Sequence, residues 1–392
     1  MISKTKNRQV KYINPKYTNV VFMLMNFALM MMSTVFGSII DKIAQTFNIS
    51  IANAGLLNTL YLYGGAIGVP IVIILFRKVE RSKLIKILLF ITVLMSIFMI
   101  YAPTFSVLLI IRFIMGITAN GYGVLAIASV ITLAETGKEG SSLALMIMGS
   151  SLGLVIGIPA TRALIRVFHW SIIFWMLSII MFFSLIYFII FLPKDNTNEK
   201  IDLSTEILFL KNKKIILVIL SAFLMFVGFG TFDIYSSGYI LNMFPTVEEN
   251  MSYILFFIGI SSLLGNHFGG QMTDKIGYSK TMLIGSLLQL VMVSFIFFTR
   301  SITIINILFC CLYTMTGWFT GLQFSTGVSK LTQNQSNLMI SLAQSSLQLG
   351  GAVGSSIASG ILNKFGMSVL PIFLIITTLI FATTQFIRIN IK

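Results

Sequence analysis

Apolar residues in this chain run in long unbroken blocks, without the polar face that a soluble helix shows at every third or fourth position. The blocks fall at about 18–40, 52–76, 84–101, 105–133, 141–165, 170–193, 215–240, 251–273, 280–299, 302–327, 337–361 and 367–388, each near the roughly 20 residues that cross a bilayer as a helix. Polar residues gather between the blocks. The longest polar stretch, PKDNTNEKIDLSTEILFLKNKK from Pro193 to Lys214, separates the sixth from the seventh. The pattern predicts an all-α membrane protein of twelve spans: a six-helix bundle over 1–193, a linker over 194–214 and a second six-helix bundle over 215–392.

The two halves repeat. At an offset of 197, RKVERSK (Arg77 to Lys83) lies over DKIGYSK (Asp274 to Lys280), and Gly68 over Gly265. The same offset sets Gly153 over Gly350 and Gly157 over Gly354. A six-plus-six parallel repeat is the architecture of transporters whose halves rock about a site near the midplane.

Composition agrees with a membrane setting: 56% of residues are hydrophobic, only 10% are charged, and the mean hydropathy is +0.94. The formal charge of +15 raises the possibility of a nucleic-acid partner, and the positions of the charges argue against it. Lys4, Lys6, Arg8, Lys11 and Lys16 precede the first span, Arg77, Lys78, Arg81, Lys83 and Lys86 follow the second, and Lys194, Lys200, Lys211, Lys213 and Lys214 occupy the linker. With twelve spans and cytoplasmic termini, only Lys42, Arg162, Arg166, Arg300 and Lys364 fall outside, and Arg112 is left within the membrane. This is the positive-inside bias that orients a membrane protein. The first apolar run has no small-residue cleavage site after it, so it is expected to be a retained helix. Cys310 and Cys311 are adjacent in an apolar stretch, without metal-ligand spacing.

The motifs point to a family. In GSSLGLVIGIP, Gly149, Gly153 and Gly157 stand four apart on one helix face and Pro159 follows, a spacing that lets two helices approach backbone to backbone. Glycines ending in a proline in the fifth span resemble the antiporter motif of the major facilitator superfamily. FGSIIDKIAQTFNISIANAGLLNTLYLYGGAIGVP (Phe36 to Pro70) is similar to the start of its twelve-span drug:proton antiporter family. RKVERSKL and SSLQLGGAVGSSIASG look most like the branch that exports purine nucleosides and sugars. GGQMTDKIGYSK carries the family's cytoplasmic gating pattern at Gly270, Asp274, Lys275 and Gly277, whereas the first-half copy has Arg77 in place of the acid and Glu80 in place of the glycine. The resemblance implies the major facilitator fold and alternating access.

Arg112 and Gly116, in RFIMG, match the family's fourth-helix motif, whose arginine the resemblance associates with proton translocation. Of the twelve Asp and Glu, only Asp233, in GFGTFDIYSSG, lies inside a predicted span. Both residues sit ~10 Å below the outer surface by helix rise. The resemblance implies that both helices line the central cavity, one from each half, so the two residues are expected to approach each other when the outer gate is shut and to part when it opens, with Asp233 carrying the proton; a static pair that positions helices is the rival role. Members of the branch commonly place an acid in the first helix. Here Ser33 and Thr34 stand near that place, which leaves an uncoupled facilitator or importer as the alternative.

Asn26, Asn120, Tyr122, Trp318, Gln323 and Gln344 are candidate cavity groups for a planar or hydroxylated solute, each with an interhelical hydrogen bond or packing as its rival role. His169 and His267 fall near span ends and read as structural. Two histidines and one membrane carboxylate form no acid–base, nucleophilic or metal constellation, so no enzyme activity, metal or cofactor is expected. The expected protein is a monomeric multi-pass transporter of the cell membrane, exchanging a small organic solute, such as a drug, nucleoside or sugar, for protons. A transport-dead sensor is the remaining alternative.

Overall fold

The computed structural model describes residues 15–76, 79–135, 138–193, 209–333 and 336–390. Lys4, Lys6, Arg8, Lys11, Arg77, Lys78, Lys194, Lys200 and most of the linker lie outside the described residues. The described chain is helical almost throughout, as a backbone in lipid must be, because each N–H and C=O has to find its partner within the segment.

The first half comprises α1 (Pro15–Ser38), α2 (Ile40–Phe47), α3 (Ile51–Ala54), α4 (Leu56–Leu75), α5 (Arg81–Ile100), α6 (Phe105–Leu133), α7 (Glu139–Leu152), a π-helical turn (Gly153–Gly157), α8 (Ile158–Leu164) and α9 (Ser171–Phe191). The second comprises α10 (Lys213–Met243), α11 (Met251–Ile276), α12 (Tyr278–Phe298), α13 (Thr303–Leu331), α14 (Asn337–Phe365) and α15 (Leu370–Asn390). These make two six-helix bundles. α3 with α4 forms the second span, and α7 with α8 the fifth.

Among the described residues, eleven spans are both long and apolar enough to cross a bilayer. The twelfth, α14, is 29 residues long and more polar because it is a contact helix. Its buried Ser341, Ser345, Ser355 and Ser359 lie on a helix that packs against α10 and across the molecule against α4. The halves also meet where the π turn and α8 contact α11, and where α1 contacts α10.

Close glycine contacts correct the register of the repeat. A Cβ on Gly64 would strike the carbonyl of Phe113, and one on Gly265 the carbonyl of Met315; Gly149 lies likewise on the Met23 carbonyl and Gly350 on that of Phe223. Equivalent glycines are therefore 201 apart, one helical turn beyond the sequence overlay. At the second span the reason is loop length: five residues (76–80) join α4 to α5, whereas Gly277 alone joins α11 to α12. No single gapless offset can fit both that loop and the helix before it.

Candidate functional site

Twelve crossings among the described residues put the start of α1 and the end of α15 at one end of the molecule, and the halves are joined at the other. There Lys42 pairs with Glu248 at 3.0 Å, Arg166 donates to the Glu249 carbonyl, Ser50 donates to Asn363 at 2.6 Å, and the Asn363 amide donates to Asn53 at 2.7 Å. Further in, Thr59 bonds Ser355 at 2.7 Å and Tyr63 bonds Ser356 at 3.2 Å. The innermost link is Gln348 Nε2 to Asn120 Oδ1, 2.8 Å. Gly65 makes room for it, since a Cβ there would collide with both amides. Between described residues, hydrogen bonds across the halves stop at this pair.

Asp233 projects into a cavity between the halves, with its residue exposed although it lies on a membrane-spanning helix. Thr34, Gly37 and Ser38 of α1, Leu154 of the π turn, Ile158 of α8, Ser236 and Ser237 of α10, Leu255, Ile258, Gly259 and Ser262 of α11, and Thr314 and Trp318 of α13 complete its walls. The space between these helices, mouth included, is about 480 Å³. Trp318 is held edge-on by Phe229, centroids 6.4 Å apart. The cavity therefore offers one carboxylate, several hydroxyls and an indole, and its lining contains no cation.

Arg112 is elsewhere. Its side chain is fully buried, with Nε on the Leu57 carbonyl at 3.1 Å, Nη1 on Met32 O at 2.6 Å, and Nη2 on Ser33 O at 3.2 Å and Asn58 Oδ1 at 2.8 Å. The guanidinium lies over Tyr61 at 4.3 Å and Phe36 at 5.0 Å. No carboxylate among the described residues forms an ion pair with it. Carbonyl dipoles and aromatic faces supply the negative field instead. The expected approach of Arg112 to Asp233 with this end shut is thus not formed. The C-terminal end of α1 intervenes: a Cβ on Gly37 would sit 3.2 Å from the Asp233 backbone carbonyl and 3.4 Å from Asn58 Nδ2.

The other candidates separate. Asn26 ties α1 to α7 through the Met146 carbonyl (3.0 Å) and Ser150 (2.7 Å). Tyr122 is buried in the first bundle near Phe188, and its hydroxyl has no hydrogen-bond partner among the described residues. Gln323 is buried in the second bundle, joined to Thr273 and to the Gly269 and Phe319 carbonyls. Gln344 is exposed and bonds Ser325 at 2.8 Å. None of these four lines the Asp233 cavity; of the candidate cavity groups, Trp318 does. Gly149, Gly153 and Gly157 seat α1, while Leu154 and Val155 of the π turn meet Gly259 of the other half. Pro159 is at the start of α8. Gly270 has only Leu322 nearby, and Gly277 takes a φ of 82° that its missing side chain permits. Asp274 and Lys275 are exposed at the end of α11.

Three features had no sequence signal. Asp41 and Arg162 form a bidentate pair at 2.5 and 3.0 Å, with side chains only 11% and 3% exposed. Gln348 is Asn120's partner, and Tyr235, fully buried, reaches across the halves. His169 bonds Ser171 at 2.9 Å and His267 bonds Gln271 at 3.1 Å. Among the described residues no group of His, Cys, Asp and Glu could hold a metal.

The sequence profile of the Major Facilitator Superfamily matches residues 22–355, and again 247–389. An uncharacterized MFS-type transporter, YbcL of Bacillus subtilis, is 26% identical over 82% of this chain and 83% of its own length. A probable sugar efflux transporter of Helicobacter acinonychis is 24% identical over 61% of each chain. Among solved structures, a mutant of the nucleoside transporter NupG superposes with a TM-score of 0.77 at 13% identity, covering 96% of this chain and all of that one. The Escherichia coli xylose transporter XylE, partially occluded and inward open, gives 0.70 at 15% identity over 93% of this chain and 96% of its own. At such identities the likeness is one of fold.

Proposed function

Because the chain belongs to the Major Facilitator Superfamily, a family of multi-pass membrane transporters, we propose that it exports a small hydroxylated solute, a sugar or a nucleoside, in exchange for protons. The observation that carries this reading is the exposed Asp233 carboxylate in a hydroxyl-lined cavity between the two halves. A carboxylate with Ser and Thr hydroxyls accepts hydrogen bonds from a polyol, and the Trp318 indole offers a flat apolar face to a ring. A lining without a cation favours neutral over anionic solutes. Asp233 can hold either a proton or the solute's hydroxyls, and that competition is the simplest form of exchange. The name of the Helicobacter relative supports sugar efflux, and that of NupG a nucleoside.

In this reading the termini are cytoplasmic, the structure is the state closed to the outside, and one chain carries a complete site and works as a monomer. A facilitator is the second reading, favoured by Ser33 and Thr34 where relatives carry an acid. Liposomes with a trapped pH dye, challenged with sugars and nucleosides, separate the two. Exchange predicts proton movement on adding the right solute and none for Asp233→Asn. Equal solute flux in both proteins, without proton movement, would give the facilitator.

A further inference from the structure

Two helix breaks in the first half leave backbone carbonyls without backbone partners, at the end where the molecule is shut. The first lies between α1 and α2: Lys42 and Ile43 N–H both turn back to the Ile39 carbonyl, so Ser38 O is passed over. The second lies between α3 and α4, at Gly55. Gly55 N–H bonds Ile51 O, while Asn58 and Thr59 N–H bond Gly55 O, so Ala52 O is passed over. An acceptor freed in this way must find another donor or remain hydrated.

Both find donors on the second half. Tyr235 Oη donates to Ala52 O at 2.8 Å and Ser359 Oγ to the same atom at 3.0 Å. Ser237 Oγ donates to Ser38 O at 3.3 Å, where Arg162 Nη1 also donates at 3.3 Å. The Tyr235 ring fills the space a side chain on Gly55 would need, so the break that frees the carbonyl also seats the tyrosine. Tyr235 and Ser237 belong to the stretch of α10 that begins with Asp233.

We propose that Tyr235 and Ser237 are positioning residues that hold the end opposite the start of α1 shut by docking on the carbonyls of Ala52 and Ser38. The stretch of α10 that presents Asp233 to the cavity is then also the closure, so a solute drawn to the carboxylate acts on the element that must let go. This rests on the alternating-access reading, but its test needs no solute, so either can fail without the other.

The test is a distance measurement by double electron–electron resonance in reconstituted protein, with nitroxides at the exposed positions Gln45 and Lys364 on facing halves and the buried Cys310 and Cys311 replaced by alanine. Wild type should give mainly the short distance. Tyr235→Phe, which keeps the ring and removes the donor, and Ser237→Ala should each raise the long-distance fraction at least threefold. Ser261→Ala, whose hydroxyl donates to the Phe257 carbonyl on its own helix and also meets Cys311 of the same half, should leave it unchanged. Folded Tyr235→Phe and Ser237→Ala proteins with the wild-type distribution would overturn the proposal. Should Tyr235→Phe not fold, Ser359→Ala, which removes the second donor to Ala52, takes its place with the same two outcomes.

Discussion

Arg112 Nη2 donates to the side-chain oxygen of Asn58 at 2.8 Å, and the guanidinium's other hydrogen bonds go to backbone carbonyls of α1 and α4. The residue cross-links three helices of one bundle. Lysine keeps the charge and loses the fork that reaches four acceptors together. Arg112→Lys should therefore cost about 1–3 kcal/mol in unfolding free energy, since it leaves buried groups short of partners. Asp233→Asn should leave stability within about 0.5 kcal/mol. A double-mutant cycle on unfolding should show Arg112 and Asp233 uncoupled to about 0.5 kcal/mol. Coupling above about 1 kcal/mol would mean that they pair in the dominant state.

Asp41 and Arg162 make the opposite case, a nearly water-free ion pair. Removing one partner strands a buried charge, so Asp41→Asn or Arg162→Gln should each destabilise by about 3–5 kcal/mol. The double replacement should cost clearly less than the sum of the two, because it strands neither. Chemical unfolding of all four proteins in the same detergent measures this.

Glycines divide by what faces them. Gly149 and Gly350 lie against the backbone carbonyls of Met23 and Phe223, whereas Gly123, Gly321 and Gly360 have nothing within 4 Å of an added Cβ. Gly149→Val or Gly350→Val must push two helices apart and should abolish folded protein on size-exclusion chromatography. Alanine at Gly123, Gly321 or Gly360 should be neutral or should raise stability by up to about 1 kcal/mol, as alanine replaces glycine within a helix.

The Asn120–Gln348 bond marks the inner limit of the joined surface. Gln348→Ala removes an interhelical hydrogen bond of about 0.6–2 kcal/mol, and Gly65→Ala displaces the same amide by collision. Both should shift the equilibrium away from the shut end, read as faster modification of a cysteine placed at Asn53 by an impermeant maleimide. Unchanged reactivity in both would show that the bond is incidental to closure.

The spans, the two-fold repeat and the place of Asp233 within a span were legible in the sequence, because apolar length and an acid inside an apolar run are local signals. Arg112's partners were not. A search for opposite charge finds Asp233, whereas the arginine is satisfied by Met32, Ser33 and Leu57 carbonyls, which every residue carries. The repeat's register slipped by a turn because identical glycines were aligned, while packing is decided by which glycine meets a backbone, such as Gly64 on Phe113. Tyr235 escaped notice because its acceptor exists only once the helix breaks at Gly55, and no composition signal marks an unused carbonyl. Tyr122 and Gln323 were drawn into the candidate site by polarity alone, although each faces the core of its own bundle.

The claim that Asp233 exchanges a proton for solute is tested most directly by proton release on binding. Purified protein in weakly buffered detergent, at a pH where the carboxyl carries its proton, is titrated with the sugar or nucleoside identified by flux, and the pH is followed. The account predicts release approaching one proton per solute bound in wild type and none in Asp233→Asn. Solute binding without proton release in wild type, or equal release in Asp233→Asn, would contradict it.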